Sequence, residues 1–112
     1  MATTSIKSNV TRGTITLSSP FALRSWGHAT YVRQGSLLIV NITAFYATEA
    51  VSANTPICTL PFTVKNWQGQ VLYSTQGERM LVFSYDGNQA IYAESAVTST
   101  GDYWLQMVID TY

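Results

Sequence analysis

Histidine and cysteine are almost absent from this chain, which has one of each, His28 and Cys58. A single cysteine excludes an internal disulfide. Its apolar neighbours in Thr55-Pro56-Ile57-Cys58-Thr59-Leu60-Pro61 predict a buried thiol that behaves as a small hydrophobe. One histidine and one cysteine, thirty positions apart, form no ligand cluster, so no metal site is predicted. Nucleophilic catalysis is equally short of parts: His28 has no partner in sequence reach, and no Gly-x-Ser-x-Gly elbow occurs. No phosphate-binding glycine loop is present. The acids Glu49, Glu78, Asp86, Glu94, Asp102 and Asp110 fall mostly in turns or at strand ends, where turn chemistry and solubility are their ordinary work, rather than as a pair flanking a glycosidic bond. The expectation is a protein that is not an enzyme, with no catalytic residue and no cofactor.

Charge is scarce too. Charged residues make up 11% of the chain, about half the usual ~25%. Six basic residues balance six acidic ones, so no net field steers the protein to nucleic acid or an anionic membrane. So few charges are a poor guard against self-association and point to an oligomer. Met1 to Asn9 is polar, which predicts no signal peptide and a flexible segment or linker remnant over 1–9. No apolar run approaches the ~20 residues of a membrane helix, so no membrane insertion is expected.

The rest of the composition is that of one folded domain, read here as residues 10–112. Apolar residues are 46% and aromatics 12% of 112 residues. A chain of this size buries roughly 65% of the surface it exposes when unfolded.

Period-two alternation dominates the pattern. Ala29 to Gln34 and Ser36 to Tyr46 read as a hairpin broken at Gly35. Leu38, Val40, Ile42 and Ala44 share one face of its second strand, and Leu37, Ile39 and Phe45 the other. Val10 to Ser18 alternates and stops at Ser18-Ser19-Pro20. Phe21 to His28 fits no helical template and reads as a loop or short strand ending at Gly27. Thr48 to Asn54 reads as loop and Ile57 to Leu60 as a short strand. Asn66-Trp67-Gln68-Gly69 reads as a turn before a strand through Val71, Leu72 and Tyr73. Arg79 to Tyr85, the Asp86-Gly87 turn and Asn88 to Ala96 form a second hairpin, with Asp-Gly a strong short-range signal for it. It places Leu81, Phe83 and Tyr85 opposite Met80, Val82 and Ser84, and Tyr92 and Glu94 opposite Ile91 and Ala93. Tyr103 to Tyr112 is a last strand with Tyr103, Leu105, Met107 and Ile109 on one side. About eight strands with regularly spaced turns predict an all-β antiparallel sandwich, jelly-roll-like in architecture.

The order of these pieces carries a resemblance. Trp26-Gly27 leads into Tyr31-Val32-Arg33-Gln34-Gly35 and a hydrophobic strand. Ile57-Cys58-Thr59-Leu60-Pro61, the hairpin Tyr85-Asp86-Gly87 and the aromatic Tyr103-Trp104 follow. Over about Thr11 to Tyr112 this set resembles the C-terminal head (receptor-binding) domains of tailed-phage tail-fibre and baseplate proteins. Phe62-Thr63-Val64-Lys65 after Pro61 departs from that family's usual Gly and Pro. The resemblance implies a β-sandwich head that assembles as a homotrimer in the virion tail, joined upstream to other tail or baseplate proteins. It implies non-covalent attachment to host cell-surface saccharide. The alternative is a structural trimeric fibre tip or baseplate component that contacts only protein.

Saccharides are held by aromatic faces and planar polar groups. Trp67, beside Gln68 in a polar turn, is either folded back on the core edge or exposed for contact. Arg79, Asp86, Asn88, Tyr92 and Glu94 cluster around one hairpin, as a groove wall or as plain solvated strand. Trp26 and His28 form a second aromatic-polar pair, read either as contact residues or as packing and hydrogen bonding at the end of the sandwich. Trp104 is expected in the core or, with Gln106, Val108 and Tyr112, at a subunit interface.

Overall fold

Alternation becomes eight β-strands in the computed structural model, which describes residues 10–97 and 101–112. They are β1 (Val10–Thr14), β2 (Phe21–Gln34), β3 (Leu37–Ala47), β4 (Thr55–Thr59), β5 (Gln68–Tyr73), β6 (Arg79–Ser84), β7 (Ala90–Ala93) and β8 (Tyr103–Asp110). Segment 1–9, expected to be flexible, lies outside the described residues. Among the described residues there is no helix, and every strand pairing is antiparallel.

The strands form two four-stranded sheets, A in the order β1-β2-β3-β8 and B in the order β4-β7-β6-β5. Sheet B has the spatial order of a Greek key. The pairs β3–β8, β4–β7 and β5–β6 are nested, which is the jelly-roll-like element of the fold. Unlike a full jelly roll with its two Greek keys, it keeps β4–β7 and β5–β6 in one sheet. The inner faces supply one buried cluster: Leu38, Val40, Ile42, Leu105, Met107 and Ile109 from sheet A meet Ile57, Met80, Val82 and Ile91 from sheet B. Burying such side chains stabilises the fold by about 1.5–3 kcal/mol each. Cys58 is fully buried in this cluster, as expected, and desolvation pushes its thiol pKa up to about 12.

Gly35 and Ser36 connect β2 and β3, and of the two only Gly35 has positive φ (61°). That is the signature of a type II′ hairpin turn. Farther along the same hairpin, of the two readings of Phe21 to His28 the loop is overturned and the strand holds, but it is neither short nor ended at Gly27, because these residues belong to the 14-residue β2. Pairing jumps from Leu23↔Phe45 to His28↔Thr43, so Arg24 to Gly27 stand opposite Ala44 alone. Such a bulge breaks alternation and hides the strand from a period-two search. A Cβ on Gly27 would lie 2.5 Å from the Thr43 carbonyl oxygen, and Ala44 takes a positive φ of 55°. The bulge also changes which way Phe45 faces. Alternation grouped it with Leu37 and Ile39, yet it is fully buried.

β8 follows its predicted faces, with Tyr103, Leu105, Met107 and Ile109 buried and Trp104, Gln106 and Val108 exposed. Trp104 is 49% exposed, so of its two expected places the core is excluded. Between the sheets the chain seals the sides with isolated bridges, Leu17↔Cys58 and Val51↔Val97 on the β4 side and Val64↔Thr111 beside β8.

Candidate functional site

The outer face of sheet B is aromatic. On β6, Met80, Val82 and Ser84 point inward, so Leu81, Phe83 and, just past the strand, Tyr85 point outward. Phe83 pairs directly with Tyr92 of β7, and on its other side with Gly69 of β5. With no side chain at Gly69, that flank of Phe83 is open to Trp67, whose ring stacks on Phe83 at 5.7 Å and 14°. Trp67 also contacts Tyr85 at 5.3 Å, while Phe83–Tyr92 and Tyr85–Tyr92 stack at 5.3 and 5.7 Å. Four rings with interplanar angles of 14–30° form a continuous ladder. Offset stacking of this kind is worth about 0.5–1.5 kcal/mol per pair beyond burial.

Trp67 joins its two expected placements. It rests on the ladder, yet 70% of it is exposed. Beside it opens a groove of about 230 Å³, lined by Trp67, Gln68, Gly69, Leu81, Phe83 and Glu94. Glu94 is exposed, and its carboxylate makes no hydrogen bond or ion pair among the described residues.

Several candidates are engaged within the protein or lie off the groove rather than facing a ligand. Asn88 donates to the Tyr85 hydroxyl (2.8 Å) and accepts from the Tyr92 hydroxyl (3.0 Å). The hydrogen bond to Tyr92 raises the Tyr85 pKa above its ordinary value. Asp86 accepts a hydrogen bond from the Tyr112 hydroxyl, which raises the Tyr112 pKa. Gln68 belongs to β5 rather than to a turn. With its amide oriented to satisfy both neighbours, it donates to the Val108 carbonyl (2.6 Å) and accepts from the Asp110 N–H (3.0 Å). Its polar atoms therefore tie sheet B to the edge of β8, and it lines the groove without a free amide. Arg79 sits across from Tyr73 at the far end of β6, outside the groove lining.

The remaining candidates are not brought to this face. Trp26 and His28 lie on β2 in sheet A. Trp26 is carried in the bulge and is 64% exposed rather than packed over the end of the sandwich. The His28 backbone N–H donates to Thr43 Oγ1 at 2.9 Å. Trp104, Gln106 and Val108 share the outer face of sheet A, where cross-strand rows run Thr14–Thr30–Asn41–Gln106 and Arg12–Val32–Ile39–Val108. Tyr112 stands apart, tied to Asp86 at the β6–β7 turn.

Sequence reasoning passed over Leu81, Phe83, Tyr85 and Gly69 as site residues. The signal was present. A β6–β7 hairpin turning near Asp86-Gly87 sets odd-numbered residues of β6 and even-numbered residues of β7 on one face, which joins Phe83 and Tyr85 to Tyr92. Which face would be buried was harder to read, because both carry apolar residues.

The chain matches no protein-family model, no curated protein and no solved structure. Fold and site define it as an all-β, sandwich-like protein that displays an aromatic ladder beside a shallow groove.

Proposed function

We propose that this chain is the receptor-binding head of a tailed-phage tail-fibre or baseplate protein, attaching non-covalently to host cell-surface saccharide through the outer face of sheet B. The observation that carries this reading is the exposed Trp67 ring braced on Phe83 and Tyr85 at the rim of a groove. A pyranose presents a flat C–H surface that an aromatic face can cover, and recognition sites combine such apolar area with a few polar groups. Bracing matters energetically. An indole already held by stacking loses less rotamer freedom on binding, a saving of roughly 0.5–1.5 kcal/mol. The phage assignment rests on the ordered motifs from Trp26-Gly27 to Tyr103-Trp104.

Glycan-array screening followed by titration tests the reading. Trp67→Ala is expected to weaken saccharide binding at least about tenfold, the scale of one lost aromatic contact, with the protein still folded and its thermal midpoint lowered only by the few degrees that the lost stacking costs. Tyr92→Ala is expected to weaken binding in the same direction. Equal loss of binding and stability would make these rings structural.

The head assembles as a homotrimer in the virion tail, with Trp104, Gln106 and Val108 at the subunit contact. The support is an outer face of sheet A with few charges, on which Trp104, Val108 and Leu37 are about half exposed. Light scattering after size exclusion is expected to give three times 12.4 kDa, and a monomer at high concentration would remove the trimer. The same exposed face favours the second reading, a structural fibre tip or baseplate component that contacts only protein. An empty glycan array together with a stable trimer would select it.

A further inference from the structure

We infer that the groove beside Trp67 selects a saccharide carrying a protonated amine, an amino sugar with a free ammonium group, over neutral, N-acylated or acidic sugars. This inference rests on the saccharide reading and narrows it. Of the six lining residues only Glu94 is charged, and its carboxylate has no partner among the described residues. The aromatic walls add to the same sign, since the ring faces of Trp67 and Phe83 carry the negative part of their quadrupoles and attract cations. Among the described residues no cation lines the groove. Arg79, the basic residue of the same face, lies two positions before Leu81, opposite Tyr73, and makes no ion pair with Glu94.

Among the described lining residues, the side-chain donors open to an anion or an acyl oxygen come down to the Trp67 indole N–H. The Gln68 amide is committed to the backbone of β8 at Val108 and Asp110. Gly69 leaves the floor open. Even a Cβ added there would find only the Val82 carbonyl oxygen, at 3.5 Å. A pyranose stacked on Trp67 can thus extend an equatorial substituent over Gly69 toward Glu94. An ammonium in that place gains a charge-assisted hydrogen bond and the ring faces. An acetamide N–H can still donate to the carboxylate but brings no positive charge to it or to the ring faces, and a carboxylate or phosphate meets repulsion. With a net charge of zero, the chain as a whole supplies no opposing field.

The test is calorimetric titration of the full chain with three trisaccharides: fully deacetylated glucosamine trimer, its N-acetylated form, and cellotriose. The deacetylated trimer is expected to bind about tenfold tighter than the other two, the scale of one charge-assisted hydrogen bond, with the advantage shrinking as salt rises. Glu94→Gln is expected to erase the preference, so that the deacetylated trimer binds no tighter than the other two, and Trp67→Ala to weaken all three. Equal affinity for the three, tighter binding of the acetylated trimer, or a preference that survives Glu94→Gln overturns the inference and leaves the saccharide reading standing. Failure of all three to bind overturns the inference, and an empty glycan array would remove the saccharide reading as well.

Discussion

Gly27→Ala is expected to destabilise the protein by about 3 kcal/mol, at the upper end of overpacking costs, a drop in thermal midpoint of roughly 10–20 °C. The added Cβ would meet the Thr43 carbonyl oxygen at 2.5 Å and the Ala44 carbonyl oxygen at 3.0 Å. Both are backbone atoms, so no side-chain rotation relieves the contact. The two strands must separate where β2 already carries its bulge and where Ala44 already holds a positive φ. Denaturant unfolding measures the loss. A change below about 0.5 kcal/mol, the range of an ordinary surface substitution, would show that β2 and β3 part there at little cost and that the close approach is not essential.

Phe45→Ala is the second large effect, about 3–5 kcal/mol for truncating a buried phenylalanine. Phe45 is fully buried, packs edge-on against Phe21 at 6.2 Å and lies tilted at 33° against Tyr103 at 5.7 Å. Removing it leaves a cavity between β2, β3 and β8 that rigid strands cannot close. Tyr103 is held back from filling it by the hydrogen bond its hydroxyl donates to Glu78 at 3.3 Å. The measurement is again equilibrium unfolding, paired with the same substitution at Ile39, which alternates to the outer face and is not fully buried. If Phe45→Ala cost no more than Ile39→Ala, the inward turn of Phe45 would be wrong.

Both effects come from one irregularity, and it is the part of the fold that was hardest to read. The β3–β8 stretch was legible wherever pairing is regular: Leu38, Val40, Ile42, Leu105, Met107 and Ile109 are buried as their alternation demands. Phe21 to His28 was not legible. Four residues there face one across the ladder, so the period of two is lost, and Gly27 looks like a chain break when it is a contact point. Phe45 was misplaced for the same reason, since a period carried through Ala44 inverts every side chain beyond it.

The site divides in a similar way. Trp67, Tyr92 and Glu94 could be singled out from residue type and turn chemistry. Gln68, Asp86 and Asn88 were chosen on the same grounds, but their polar groups are engaged with β8, Tyr112 and the two ladder tyrosines. Hydrogen-bonding capacity is a property of a residue, whereas its availability depends on neighbours that are distant in sequence. Trp26 and His28 are equally aromatic and polar, and the strand order alone puts them in the opposite sheet.

Composition and alternation by themselves determined the all-β class, the strand count, the buried face of β8 and the buried Cys58, because these follow from local period and from the burial of apolar surface. Tertiary structure alone decided the bulge at Ala44, the inward turn of Phe45, the β5–β6–β7 neighbourhood that stacks Trp67 on Phe83, and the diversion of Gln68 to the edge of β8. Each of these depends on which backbones lie side by side, and that is set by pairings between segments tens of residues apart, which local period does not encode.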